Sequence, residues 1–247
     1  MNHAFPCGTL ALDFLGTLRA RRNPVPAEKL GTPGLLDDWF VESGMFDAAP
    51  HADEADLAAA LELRESLYAL VEDRLGGRAA LAALSEAAAS ATGAALAAPA
   101  ASGAAVVPAD PAALAEAVAV LNRYAAQPPV IVQLEVGVAG SAGAGSAGVG
   151  SSGGLGAAVT RRSGTAAQGL AAVAREAVEI LGGPDAALLR ECGRPECTQV
   201  YLDRSRGHRR EWCAMRTCGN RVKVSAYRSR HRTTSTPTSS APSTTHA

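Results

Sequence analysis

The chain has 247 residues, enough to bury the core of one large or two smaller domains, and 47% of them are hydrophobic, as in globular proteins. No run approaches the roughly 18 apolar residues of a membrane span, which excludes a membrane-spanning helix, and aromatics are only 4%, so Leu, Val and Ala must carry the core. The net charge of −1 hides an asymmetry: residues 190–232 hold twelve Lys and Arg against four Asp and Glu (+8), leaving eleven bases against twenty acids elsewhere (−9).

Residues 1–20 show no basic segment followed by an apolar one, and Asp13 interrupts their apolar run. No secretory leader is therefore expected, and the chain reads as cytoplasmic. Residues 5–18 read as a short helix entered by a turn, and 19–33 as a loop broken by Pro24, Pro26 and Pro33. A helix then starts with Thr32 as N-cap and Pro33 in its first position. It presents Leu35, Leu36, Trp39 and Phe40 on one face and stops at Gly44.

Asp53 opens the next helix, whose face steps through Leu57, Leu61, Arg64, Tyr68 and Val71. Gly76-Gly77 is expected to stop it, with a second, Ala-rich helix over 78–91. Residues 94–107 have room for one short strand. Asp110-Pro111 opens a helix through Leu114, Val118, Leu121 and Tyr124, which Pro128-Pro129 closes. The β-branched run 130–138 predicts a strand, 140–154 is a Gly/Ala/Ser loop, and 159–161 resumes as the partner strand of a hairpin. Those glycines lack the Lys-Ser/Thr of a phosphate-binding loop. Residues 165–181 are helical again, ended by Gly182-Gly183-Pro184. From 233 to 247 the chain is mostly Thr, Ser, Pro and Ala and cannot offset the entropy of ordering, so a disordered tail is expected.

The fold class that follows is α+β: a mainly helical N-terminal domain over 1–183 with a small β-hairpin, a four-cysteine finger of hairpin and helix over 184–232, and the tail.

The finger holds the chemistry. Four residues separate Cys192 from Cys197 and Cys213 from Cys218, and fifteen lie between the pairs. Zinc takes thiolates in a tetrahedron at about 2.3 Å, and two close pairs on turns can bring four sulfurs together. Four cysteines fill the shell, which describes a structural Zn2+ site rather than a catalytic one with an open position. A disulfide framework does not suit a reducing compartment. Redox switching of the thiolates and ligation by His208 are the other readings. Cys7 stands apart and reads as a buried small side chain.

Between the pairs, 198–202 reads as a strand, 203–207 as a polar turn and 209–212 as a returning strand. Residues 220–231 read as a helix. Arg221, Arg228 and Arg232 share one face of it, and Val224, Tyr227 and His231 form a stripe expected to pack on the hairpin. A finger with so little apolar core would draw most of its folding energy from the metal.

The +8 patch on this scaffold points to a polyanion. Arg204, Arg206, Arg209, Arg210, Arg221, Lys223, Arg228 and Arg230 could neutralise phosphates of DNA. The alternatives are a solvated basic face, RNA, or a protein-interaction finger docking an acidic partner such as another copy's −9 body. Asn220 reads as a cap or a thiolate partner, Arg221 equally as an ion-pair partner, and Trp212 as hairpin core. In the N-terminal domain, Asp13, Asp37, Asp38 and Glu42 cluster near Trp39, but clustered acids usually form a solvated face, and no nucleophile motif accompanies them. The expectation is no enzyme. A small-molecule ligand or protein partner of that domain is the expectation instead. A homodimer would suit paired half-sites, although no dimer helix stands out.

The run Cys213-Ala214-Met215-Arg216-Thr217-Cys218-Gly219-Asn220-Arg221 resembles the CGNR zinc-finger family, named for its last four residues. Tyr201-Leu202-Asp203-Arg204-Ser205-Arg206 and Arg209-Arg210-Glu211-Trp212-Cys213 are similar to that family's hairpin, so the likeness spans 190–232. In that family the finger follows a domain called ABATE. Leu12-Asp13-Phe14-Leu15-Gly16-Thr17 and Leu36-Asp37-Asp38-Trp39 are similar to its opening, although family members usually show Asn where this chain has Gly16. The resemblance implies a bacterial, stress-related transcription regulator whose finger binds DNA.

Overall fold

A computed structural model of the chain describes residues 2–91, 110–136 and 158–233, with side chains for 2–76, 110–136 and 158–229. The strand expected in 94–107, the Gly/Ala/Ser loop and the tail from 234 onward lie outside the described residues.

Five helices build the body: α1 (Leu10–Leu15), α2 (Pro33–Glu42), α3 (Glu54–Ala91), α4 (Pro111–Ala125) and α5 (Ala166–Gly182). Three two-stranded antiparallel ribbons accompany them: β1 (Leu18–Arg19) with β2 (Ala27–Glu28), β3 (Ile131–Val136) with β4 (Ala158–Ser163), and β5 (Leu189–Glu191) with β6 (Val200–Leu202). A 3-10 turn, Pro184–Leu188, leads into β5, and a π-turn, Met215–Gly219, leads into α6 (Asn220–Thr233). A helical body, small antiparallel sheets and a C-terminal cysteine cluster make up the α+β architecture expected from the sequence.

Local signals account for the helix starts. The Thr32 hydroxyl accepts from the Leu35 amide at 3.3 Å with Pro33 in the first turn of α2. Asp110 caps α4 through the Ala112 amide, and Thr165 and Gln168 form a reciprocal capping box on α5. Gly44 closes the turn after α2 at φ +75°, a conformation that side chains resist.

The four phenylalanines and Trp39 are gathered in one place. Trp39 meets Phe14 edge-on at 5.0 Å between centroids and Phe40 at 5.6 Å, with Phe5 and Phe46 at the ends of the chain of rings. Small residues on α5, among them Gly169, Ala174 and Ala177, let it come close to its neighbours. A Cβ on Gly169 would stand 2.5 Å from the buried Phe40 ring. From α3, Leu57, Leu63, Leu67 and Val71 enter the same core.

Two elements differ from expectation. α3 does not stop at Gly76-Gly77 but runs on to Ala91. Glycine weakens a helix by about 1 kcal/mol without breaking it, and the Ala-rich stretch beyond carries the helix onward. The segment expected as a loop over 19–33 holds most of the short β1–β2 ribbon, which starts at Leu18. It is clamped by Arg64, which is 3% exposed and bonds both Glu28 carboxylate oxygens at 2.7 Å, Glu65 at 2.9 Å and the Thr17 hydroxyl at 3.2 Å. The arginine that the helical periodicity placed on an apolar face is thus a paired, buried cation.

Candidate metal centre

The first cysteine pair occupies the connection between β5 and β6. The ladder pairs Leu189 with Leu202, Arg190 with Tyr201 and Glu191 with Val200, and the Cys192 amide extends it by donating to the Gln199 carbonyl at 2.9 Å. The Cys197 amide donates to the Arg194 carbonyl at 2.8 Å, which closes the turn. The second pair flanks the π-turn, where the Gly219 amide reaches the Ala214 carbonyl at 3.2 Å.

These two turns bring the four sulfurs together. All four Sγ atoms lie within 4.8 Å of one another and all four residues are buried. Cys197 and Cys213 Sγ are 3.9 Å apart, and Cys213 and Cys218 Sγ 3.6 Å. A tetrahedron with metal–sulfur bonds of about 2.3 Å has sulfur–sulfur edges of about 3.8 Å, so the spacing fits a four-thiolate metal site and is far too long for disulfides. The titration of the group fits the same picture. Hydrogen bonds from the Cys197 and Cys213 thiols hold the Cys192 thiol low, while bonding to Cys192 pushes Cys197 up to about 12 and Cys213 higher still. Thiolates this close repel one another unless they share a cation. Arg194 adds positive charge beside them, its Nη1 3.6 Å from Cys218 Sγ.

The glycines beside the ligands have a packing reason. The Gly193 amide donates to the Glu211 carbonyl at 2.8 Å, and its bare Cα faces the Trp212 ring. A Cβ on Gly219 would overlap the Met215 side chain and approach Trp212. The half-buried Trp212 therefore lies against both cysteine turns, in the structural role expected of it.

The hairpin is drawn differently from the sequence expectation. β6 pairs with β5, which precedes the first cysteine, and 209–212 forms no strand. Asp203 is the reason. Fully buried, it accepts from the Ser205 amide at 3.0 Å, the Ser205 hydroxyl at 2.6 Å and the Arg210 amide at 3.2 Å, so the chain wraps around one carboxylate. Burial opposes that charge, but these bonds hold its pKa below the ordinary value. Gly207 and His208, both at positive φ, turn the loop, and His208 Nδ1 bonds the Asp203 carbonyl at 2.8 Å, away from the sulfurs.

The predicted cations fall into separate groups. Arg204 pairs with Asp185 at 2.6 Å, and Arg206 and Arg209 are exposed on the same loop. The Arg210 guanidinium is engaged: it lies 4.2 Å over the Tyr201 ring and donates to the Trp212, Cys213 and Pro6 carbonyls. Arg221, Lys223 and Arg228 are exposed on α6, and the Arg230 side chain lies outside the described residues. Arg221 and Arg228 line one shallow groove together with Arg216, Asn220 and Ser225. Arg216 is a cation that sequence reasoning passed over, although its place between Cys213 and Cys218 could have flagged it. The Val224 and Tyr227 stripe does not pack on the hairpin: Val224 is 46% and Tyr227 57% exposed, because the short ribbon is already covered by the body.

The N-terminal acids do not converge. Asp37 accepts from the Ala52 amide, Asp38 from the Asn2 side chain, and Glu42 from the Asn2 and His3 amides. Asp13 is buried and accepts from the Cys7 amide at 2.9 Å. Cys7 is buried as expected, with the Gln199 amide 3.2 Å from its sulfur.

Comparison with known families gives two matches. A family described as "Putative stress-induced transcription regulator", ABATE, matches residues 8–184, and the CGNR zinc finger family matches residues 189–231. Among curated proteins, none matches the chain. No helix among the described residues is long and apolar enough to cross a membrane.

Proposed function

The chain belongs to the ABATE family and carries a CGNR zinc finger, and from that premise we propose that it is a transcription regulator whose finger, shaped by one structural zinc ion, binds DNA under the control of the N-terminal body. Cys192, Cys197, Cys213 and Cys218 would hold the ion, which supplies a closed cross-link and no reactive position. We take 1–183 as the sensing part, responding to a ligand or protein partner, and 184–232 as the reading part.

The observation that carries DNA binding is the set of exposed cations on this scaffold. Among the described residues, no carboxylate pairs with Arg206, Arg209, Arg216, Arg221, Lys223 or Arg228. Three of them, Arg216, Arg221 and Arg228, share a groove with polar Thr217, Asn220 and Ser225, a lining suited to a phosphate backbone. Arg210 is set aside because carbonyls and a ring already occupy its guanidinium.

Titration of the zinc-loaded chain with duplex DNA at several salt concentrations tests this. Contact with about six phosphates gives a slope of log affinity against log salt near −5, and Arg221→Ala or Arg228→Ala each lowers the slope by about 1. A slope near zero sinks the reading. Binding of the finger to the acidic body of a second copy, without DNA, would establish the protein-interaction alternative.

A further inference from the structure

The body encloses a second feature that the finger's chemistry does not use. A cavity of about 170 Å³ lies between the N-terminal segment, the end of α1 and the β1–β2 ribbon, with Asn2, His3, Asp13, Arg19, Lys29 and Trp39 in its walls. The N-terminal segment that lines it is pinned in place. The Asn2 and His3 amides donate to Glu42 at 2.7 and 2.8 Å, and His3 Nε2 bonds the Leu35 carbonyl at 3.0 Å. The volume is that of roughly six waters, too small for a nucleotide and below the usual range of drug-sized sites.

The walls carry both signs of charge. Asp13 is only 5% exposed, so its carboxylate stands largely out of water. Among the described residues, neither Arg19 nor Lys29 has a carboxylate partner; Arg19 Nε bonds the Gly16 carbonyl at 3.1 Å. A simple anion would meet Asp13, and a simple cation would meet Arg19 and Lys29. A compact molecule with an ammonium at one end and a carboxylate at the other satisfies both walls.

The cavity wall is tied to the finger through Gly16. Gly16 lines the cavity, and the side-chain amide of Gln199 fills the space where a Cβ on Gly16 would be. The backbone of Gln199 is the one that receives the Cys192 amide, so a single residue connects the cavity wall to the cysteine turn.

We propose that this cavity binds a small zwitterion of the α-amino-acid class, with Asp13 receiving the ammonium, Arg19 and Lys29 the carboxylate, and Gln199 connecting its wall to the finger. This rests on the reading of the body as the sensing part of the regulator. By linkage, whatever the ligand does to the finger, DNA must do to the ligand's affinity in equal measure.

The test uses the full zinc-loaded chain carrying Trp212→Phe, so that Trp39 is the remaining indole. Each of the twenty standard amino acids is titrated, with acetate and methylammonium as half-molecule probes, reading Trp39 emission and melting temperature. At least one amino acid should saturate both signals. Each half-molecule should bind about tenfold or more weakly, and Asp13→Asn, which keeps the shape, should cost about tenfold or more. No response to any amino acid, equal binding by acetate, or undiminished binding by Asp13→Asn overturns the assignment. The DNA titration on the same preparation separates the two ideas: DNA binding without an amino-acid response removes the site alone, and the reverse result removes DNA reading alone.

Discussion

Gly16 ends α1 at φ −71°, a backbone that any residue adopts, so its missing side chain has a spatial cause. Gln199 occupies that space and donates to Cys7. Gly16→Ala should therefore cost about 1–3 kcal/mol by overpacking, and most of that cost should vanish in a Gln199→Ala background. Urea midpoints of the four combinations measure the coupling, and strict additivity would refute it. Asp13 illustrates a different cost. Burial, reinforced by the Glu176 charge and opposed by bonds from the Cys7 and Gly8 amides, raises its pKa from 3.8 to about 6. Because the folded value is the higher one, its stabilising contribution is complete below about pH 4 and is lost as pH rises through about 6. Asp13→Asn should gain about 2–3 kcal/mol relative to wild type at pH 8 and little at pH 4, as read from unfolding midpoints across pH. Equal differences at both pH values would show that the carboxylate is not strained by burial.

At the scale of elements, the two cysteine pairs rest on unequal supports. Cys192 and Cys197 sit on the β5–β6 ribbon, whose Leu189, Val200, Tyr201 and Leu202 are buried in the body's core. Cys213 and Cys218 sit on a π-turn followed by a helix whose described side chains are exposed apart from the partly buried Val222. A metal held between them would anchor the less supported half. Chelation, or Cys213→Ser, should then abolish amide-exchange protection over 215–233 while β5–β6 stays protected. Retained protection in α6 without metal would contradict this. The cysteine spacing made the cluster legible, since two pairs at equal intervals leave few other uses. The strand pairing was not legible, because nothing local reveals that Asp203 gathers the loop and that Leu189–Glu191 supplies the partner. The exposed Val224 and Tyr227 misled for a similar reason: periodicity says which residues share a face, not whether another element covers it.

At the scale of the molecule, the body and the finger share one hydrophobic core, in which Leu189, Tyr201 and Leu202 belong to the same cluster as Leu12, Phe14 and Leu63. Polar ties reinforce it: Arg22 with Glu191 at 2.5 Å, the Arg21 amide with Thr198 at 3.2 Å, and Arg210 with the Pro6 carbonyl. The helical body was legible from the Thr32 cap, the Asp110-Pro111 start and the apolar spacing of the helices. The joint was not, because Thr198 and Gln199 read in sequence as part of a finger strand and Arg210 as a phosphate contact, and their partners lie more than 170 residues away.

The missing Cβ at position 16 has a consequence for the joint as a unit of inheritance. A side chain placed there would collide first with the side-chain amide of Gln199. A chimera that grafts this finger onto a body with a larger residue at position 16 would carry two side chains competing for one space. In this chain residues 16 and 199 are matched parts of the two halves, and such a graft would need position 199 changed with it.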